Sequence, residues 1–152
     1  MKSAVDNTME YIDHMAQLLE YYEPSAVVTF LLIRLRIPTN YDGFTYLHTA
    51  ILLRYAYPLS NLSADVYPFI REKYGHHLNN MTIEAAMRSA IEIGWNRGDF
   101  PAWKLMFPTI LYSRTKRPTN AEFVDELARI LELLCSSAKA YGRRREREVA
   151  GR

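Results

Sequence analysis

The sequence predicts an all-α fold, a multi-helix bundle, and three observations support this prediction. Apolar residues recur every three or four positions through most of the 152 residues, which is the spacing of one helix face. Prolines and glycines fall between these periodic segments, where they end helices. Polar residues suited to helix N-caps precede several segments. Because 49% of the residues are apolar and 24% are charged, we expect one globular unit with a sizeable core.

The first two predicted helices cover residues 4–22 and about 25–36. Pro24 separates them, because the residue before a proline avoids the helical conformation. The first helix has one apolar stripe, made of Val5, Met9, Ile12, Met15 with Ala16, and Leu19. The second helix ends near Pro38 and contains Val27, Val28, Phe30, Leu31 and Leu35.

A third helix and a short fourth helix follow. We expect Asp42 to cap the third helix, which runs to about residue 57. It should be the most buried element, because it contains Leu47, Ala50, Ile51, Leu52 and Leu53. Ser60 or Ser63 begins the fourth helix, which ends before Gly75. Pro68 lies about one turn from its start, where few backbone donors are lost.

The remaining elements are predicted from their terminal residues. Asn80 is expected to cap a long helix that ends at Gly98, and a short helix follows at about 102–106. Residues 109–113 are predicted to be extended or irregular. Thr119 and Glu122 have capping-box spacing before an apolar run, so a helix starts there and reaches at least residue 134. The charged run after residue 142 is expected to fray.

Charge is distributed unevenly along the chain, although the net charge is only +2. Residues 1–23 have one basic and five acidic residues, a net charge of −4, whereas residues 139–152 have six basic and two acidic residues, a net charge of +4. We therefore divide the chain into an acidic helix (1–24), a helical domain (25–138) and a flexible basic tail (139–152). Either one end attracts a polyanion and the other contacts a protein, or both ends are simply solvated.

Several classes of protein are disfavoured by the sequence. Cys135 is the only cysteine, so the chain cannot form an intrachain disulfide or a CxxC zinc site. No apolar run reaches the roughly 20 residues of a membrane span, and the first residues do not resemble a secretory signal, which predicts a cytoplasmic protein without a membrane partner. The sequence lacks a phosphate-binding glycine loop, a nucleophile elbow and an HExxH motif. We expect no enzyme activity, no cofactor, no metal and no small-molecule substrate.

Residues 63–97 predict a helix-turn-helix without a wing. Two helices meet at the corner Gly75-His76-His77, and a basic loop follows at 114–117, which together outline a DNA-reading module. The surrounding motifs are Ile37-Pro38, Gly43-Phe44-Thr45-Tyr46-Leu47, Tyr67-Pro68, Ala90-Ile91-Glu92 with Trp95 and Arg97-Gly98, and Lys116-Arg117-Pro118-Thr119-Asn120-x-Glu122-Phe123.

In this order and at this spacing, residues from about 27 to 134 resemble the effector domain of the response regulator that initiates sporulation in spore-forming bacteria. The resemblance implies that the long helix enters the major groove, that the loop before the last helix touches phosphate, and that domains bind tandem DNA sites as dimers. It also implies an N-terminal phosphoacceptor domain, whereas residues 1–24 are long enough for only one helix.

The outer face of the long helix carries the candidate base-contacting residues, which are Thr82, Glu84, Ala85, Arg88 and Ser89. The family that this sequence resembles has arginines at the positions of Thr82 and Ala85, and arginine is the usual donor to guanine. Altered or weakened base readout is therefore expected. Arg88 either contacts the DNA or pairs with Glu84 or Glu92 four residues away.

Candidate phosphate contacts are Arg71, Lys73, Arg114, Lys116 and Arg117, together with the arginine-rich tail. The alternative for the loop cations is an ordinary solvated loop. Two functions remain open. The first is a DNA-binding transcriptional regulator that contacts double-stranded DNA. The second is a protein-interaction module that keeps the fold and modulates a true regulator without reading DNA. A second copy or a related regulator would bind through the helix at 4–22 or the helix after Thr119.

Overall fold

The computed structural model describes residues 23–113 and 116–151, and these residues contain seven α-helices and no strand. The all-α prediction is confirmed, whereas the predicted helix at 4–22 lies outside the described residues. The helices are α1 (Pro24–Arg34), α2 (Asp42–Ala56), α3 (Tyr67–Tyr74), α4 (Asn80–Asn96), α5 (Phe100–Met106), α6 (Pro108–Ser113) and α7 (Asn120–Ala150). A π-helical turn, Leu62–Val66, leads directly into α3.

Helix α2 lies at the centre of the molecule and packs against α1, α4 and α7. Its Leu47, Ala50 and Ile51 are fully buried. The contact with α4 is especially close at Gly43, where an added Cβ atom would lie 2.2 Å from the carbonyl oxygen of Ala86. Because the backbones of α2 and α4 touch here, this contact sets the distance between the two helices.

Helix α1 ends two residues earlier than predicted. The amide of Ile37 donates to the carbonyl of Leu32 at 3.0 Å, and the amide of Arg36 donates to Ile33 at 2.9 Å. This is a Schellman ending, which requires a left-handed residue. Arg36 occupies that position with a φ of 62°, although glycine is the residue usually found there.

The long helix α4 is capped by Asn79 rather than by Asn80, which corrects the prediction. The Asn79 side chain accepts a hydrogen bond from the amide of Thr82 at 2.8 Å. An N-cap needs an extended backbone, and Asn79 has it (φ −118°, ψ 170°), whereas Asn80 is already helical. The Asn80 side chain instead accepts from Arg71 and donates to the carbonyl of Ser63.

Two other predicted caps are also one or two positions away from the observed ones. The N-cap of α2 is Tyr41, and Asp42 is its first helical residue. Neither Ser60 nor Ser63 caps the segment before α3. Asn61 does so, because its side chain accepts from the amide of Ala64 at 3.1 Å. The predicted short helix ending before Gly75 is confirmed, since α3 ends at residue 74.

An aromatic cluster joins the end of α4 to the start of α7. Trp103 of α5 stacks on Phe107 at 5.5 Å, and Phe107 stacks on Phe123 of α7 at the same distance. Trp95 of α4 meets Trp103 edge-on at 5.4 Å. Both ends of the connection between α4 and α7 are therefore held by aromatic contacts, which fixes where α7 begins relative to α4.

Two predictions about the last third of the chain were wrong. Residues 109–113 are helical within α6, because Pro108 supplies the fixed φ that suits a first helical residue. The backbone also remains helical after Gly142, up to Ala150. A single glycine costs a helix only about 1 kcal/mol, and the neighbouring alanines and arginines have high helix propensity.

Candidate nucleic-acid interface

Helices α3 and α4 are joined by the five residues 75–79, which form the predicted tight corner. Gly75 has a φ of 154°, and a Cβ atom there would lie 2.5 Å from the ring of His77. Leu78 within the corner is buried, as are Ile70 of α3 and Ile83 of α4. The corner is thus anchored to the core, and α4 leaves it with a defined outer face.

The outer face of α4 is exposed as predicted. Its inner residues Ile83, Met87, Ala90 and Gly94 are buried. All five candidate base-contacting residues have exposed side chains, namely Thr82, Glu84, Ala85, Arg88 and Ser89. The structure therefore brings these five together on one surface, while their contact with bases stays a prediction.

A groove of about 1020 Å³ runs beside this face. One wall is α4, another is the π-helical turn with the start of α3, and the third consists of residues 116–121. Its polar lining includes Asn61, Ser63, Tyr67, Arg88, Lys116 and Arg117. We call α4's outer face together with this groove the reading surface.

Asn120 attaches the loop before α7 to the reading helix. Its side-chain amide donates to the carbonyl oxygen of Glu84 at 2.9 Å. The phenol of Tyr67 lies at the same junction. Burial raises the pKa of Tyr67 above its usual value, and a hydrogen bond with Asn120 acts in the opposite direction. This junction holds the N-terminal end of α7 against the middle of the reading surface.

The start of α7 has the predicted capping box, which is confirmed. Thr119 Oγ1 accepts from the amide of Glu122 at 3.2 Å, and Glu122 Oε1 accepts from the amide of Thr119 at 3.1 Å. This exchange gives the loop a defined exit into the helix. Residues 116–119 are therefore held at one end by the capping box and at the side by Asn120.

Two cations of the reading surface are paired with carboxylates of α4. Arg88 Nη2 lies 3.3 Å from Glu84 Oε1, and Arg117 Nη2 lies 3.7 Å from Glu92 Oε2. The pair four residues apart that was considered for Arg88 is thus present. Lys116 is exposed, and no carboxylate of the described residues pairs with it. The positive charge of this surface is partly neutralised internally.

The other candidate phosphate contacts have structural partners or fall outside the described residues. Arg71 is half-buried and donates to Asn80 at 2.6 Å, so it joins α3 to the first residue of α4. Lys73 is exposed, and its ammonium lies 5.3 Å from the ring centre of Tyr74. Arg114 is not among the described residues.

The basic tail does not join the reading surface. Helix α7 begins at that surface, and Arg143 lies 23 residues after Asn120 in the same helix. At a rise of about 1.5 Å per residue, the two are about 35 Å apart along the axis. The sequence predicted phosphate contacts from both the loop cations and the tail, and the structure places these two sets of cations far apart.

Sequence reasoning missed three residues of this surface. Asn61 was passed over in favour of nearby serines, and the motifs containing Tyr67 and Asn120 gave no indication that these two residues meet at Glu84. Only the preference for asparagine at N-caps pointed to Asn61 beforehand. The junction itself joins positions 36 residues apart, which no local pattern reveals.

Residues 28–131 match the family described as "Sporulation initiation factor Spo0A C terminal". The chain belongs to this family. The match covers α2 to α6 completely, and most of α1 and the first part of α7. Spo0A C-terminal domains are DNA-binding regulatory domains rather than enzymes, and their fold is helical. None of the described helices combines the length and apolar composition required to cross a membrane.

Proposed function

We propose that this chain is a transcriptional regulator that binds double-stranded DNA through α4, with a base readout that differs from the usual readout of the Spo0A C-terminal family. The observation that carries this proposal is the exposed outer face of α4 beside a groove lined by Lys116 and Arg117. A projecting helix supported by cations is the arrangement by which helix-turn-helix proteins enter a major groove. Because DNA is the proposed target, we also propose that the regulator acts in the cytoplasm.

The altered readout is inferred from the chemistry of the exposed side chains. Ala85 can offer only a methyl contact to thymine, and Thr82 can offer one hydroxyl. Arginines at these two positions would instead bind guanine through two hydrogen bonds, and each such pair gives about 1–3 kcal/mol of discrimination against the wrong base. Arg88 is the only arginine among the five candidates, and it forms an ion pair with Glu84 at 3.3 Å. We therefore expect a different and less discriminating consensus.

Phosphate contacts supply the remaining affinity in this proposal. Lys116 and Arg117 line the groove just before the N-terminus of α7, whose backbone amides also favour anions. Lys73 and Arg114 are further candidates. Arg71 contributes chiefly by positioning α4 through Asn80. Binding that depends on such contacts should weaken steeply with salt.

The decisive experiment is selection of preferred sites from a random duplex pool, repeated with Arg88→Ala. The wild-type chain should enrich a consensus, and the variant should relax one position of it and lose about tenfold in affinity for the selected site. Arg129→Ala is the matched control, because Arg129 is an exposed arginine on α7 that pairs with Glu126 and does not line the groove. Enrichment of no sequence by the wild-type chain would contradict the proposed base readout.

A second candidate is a protein-interaction module that retains the fold but does not read DNA. The pairing of Arg88 with Glu84 and of Arg117 with Glu92 favours it, because these carboxylates lower the attraction for phosphate. Such a module would contact a second copy or a related regulator through α7 or through residues 4–22. Titration of labelled duplexes at low and at physiological salt separates the two functions, since this module would bind no duplex even at low salt.

A further inference from the structure

The last part of α7 extends beyond the core formed by the described residues. Among the described side chains of this helix, Leu134 is the last that is buried, and the helix continues to Ala150. Every described side chain from Lys139 onward is exposed. We call residues 136–150 the C-terminal arm. The arm also lies outside the part of the chain that matches the Spo0A C-terminal family, since the match ends at residue 131.

The C-terminal arm presents regularly spaced cations. Lys139, Arg143 and Arg147 are exposed and separated by four residues each, so they follow one helix face at intervals of about 6 Å. The 15 residues of the arm contain five basic and two acidic residues, a net charge of +3. None of these three cations is paired with a carboxylate of the described residues.

This arrangement contrasts with the reading surface. There, Arg88 and Arg117 each face a carboxylate of α4, and the guanidinium of Arg71 binds Asn80. Lys116 of the groove also lacks a carboxylate partner among the described residues, but the three cations of the arm lie in one row at the far end of α7. A row of exposed cations without a carboxylate partner in the described part of the chain is suited to a polyanion with closely and evenly spaced charges. A nucleic-acid duplex is such a polyanion, with one charge per about 1.7 Å of axis.

We propose that the C-terminal arm is a second, sequence-independent binding site for nucleic-acid phosphates, about 35 Å from the reading surface. The inference rests on the proposed function for its first contact with DNA. At that distance, which equals about ten base pairs at 3.4 Å each, the arm cannot contact the phosphates that flank α4. It contacts either a more distant stretch of the same duplex or a second duplex.

The test measures duplex affinity for the full-length chain and for Lys139→Gln/Arg143→Gln/Arg147→Gln. All three side chains are exposed and follow Leu134, the last buried residue among the described side chains of α7, so the variant should retain the wild-type melting temperature. The matched control is Glu146→Gln/Glu148→Gln in the same arm, which should bind at least as tightly as wild type. Duplexes of about 12 and about 35 base pairs are compared, each with the α4 site at its centre. At about 3.4 Å per base pair, the short duplex extends only about 20 Å from that centre and the long one about 60 Å, so only the long one reaches the arm.

The loss of three phosphate contacts should make the negative slope of log K against log salt less steep, by about 2.7. If the arm reaches along one duplex, this loss appears only on the long duplex. If it holds a second duplex, wild-type protein captures a labelled short duplex on an immobilised one, and the variant does not. Equal affinity, salt slope and capture for variant and wild type would overturn the inference.

Two further outcomes separate this inference from its alternatives. One alternative is that residues 1–23, which carry a net charge of −4, neutralise the arm in place of DNA. Glu10→Gln/Asp13→Asn/Glu20→Gln would then tighten binding while the arm variant of the otherwise wild-type chain has no effect, and this result also overturns the inference. Arm-dependent binding without any selected consensus would support the second site and contradict only the base readout proposed above.

Discussion

The side-chain amide of Asn120, the first residue of α7, donates to the main-chain carbonyl of Glu84 in α4 at 2.9 Å. This single hydrogen bond connects the loop carrying Lys116 and Arg117 to the helix carrying the candidate base contacts. The Tyr67 phenol joins the same junction from α3. Three elements that are distant in sequence therefore hold the reading surface in one arrangement.

Removal of this connection should affect both stability and DNA binding. Asn120→Ala loses this hydrogen bond between α7 and α4, so we expect a free energy of unfolding lower by about 1 kcal/mol. Duplex affinity should fall as well, because residues 116–119 lose their lateral attachment. Denaturant unfolding and duplex titration measure the two effects. Asn40→Ala, in an exposed loop, is the control, and equal stability of the two variants would contradict a role for Asn120 in the junction.

The ion pair between Arg117 and Glu92 predicts that one acidic residue weakens DNA binding. Glu92→Gln should release the Arg117 guanidinium, which lies 3.7 Å from the carboxylate, and tighten duplex binding about two- to fivefold at low salt. Fluorescence anisotropy at two salt concentrations provides the measurement. Glu126→Gln removes a carboxylate paired with Arg129 away from the groove and should change affinity little. A similar gain in both variants would indicate a general charge effect instead.

The contact between Gly43 and α4 predicts a large cost for the smallest possible side chain. Gly43→Ala would place a Cβ atom 2.2 Å from the Ala86 carbonyl and 2.7 Å from the Ala90 Cβ atom. Since backbone has to move, we expect destabilisation of about 1–3 kcal/mol, measured by denaturant unfolding. Gly151→Ala is the control, because its nearest neighbour lies at an ordinary 3.4 Å. A stability near wild type for Gly43→Ala would show that α2 and α4 are less closely packed.

The cluster around Asp99 predicts a specific dependence of stability on acid pH. Burial opposes ionisation of Asp99, but hydrogen bonds from Arg34 at 2.5 Å, from Arg36 and from a backbone amide outweigh it and lower the pKa of Asp99 below its usual value. A lowered folded-state pKa stabilises the protein above the unfolded-state value of about 3.9, and this contribution is lost as pH falls through the folded-state value.

Asp99→Asn should therefore be less stable than wild type at neutral pH by up to about 1 kcal/mol, and the difference should shrink below pH of about 4. Thermal melting across this range provides the measurement. Arg34→Gln removes the principal donor and should show the same convergence with wild type at acid pH. A difference that stays constant down to pH of about 2 would assign the effect of the substitution to packing.

Much of the helical architecture was predictable because it depends on neighbours in sequence. The capping box of Thr119 and Glu122 and the buried inner face of α4 involve residues three to eleven positions apart. Errors occurred where two similar local solutions compete. Asn79 and Asn80 are both good caps, and the choice depends on Arg71, which engages Asn80 from the preceding helix.

The sequence alone determined the helical fold, the family resemblance and the composition of the outer face of α4, because helical periodicity decides which side chains share a face. Tertiary structure decided which cations are available to a ligand. Arg117 meets Glu92 across 25 positions, and Asn120 meets Glu84 across 36, whereas the continuous helix α7 carries Arg143 away from both. Electrostatic pairing falls off within a few ångströms, so it depends on distances in space that only the packed helices establish.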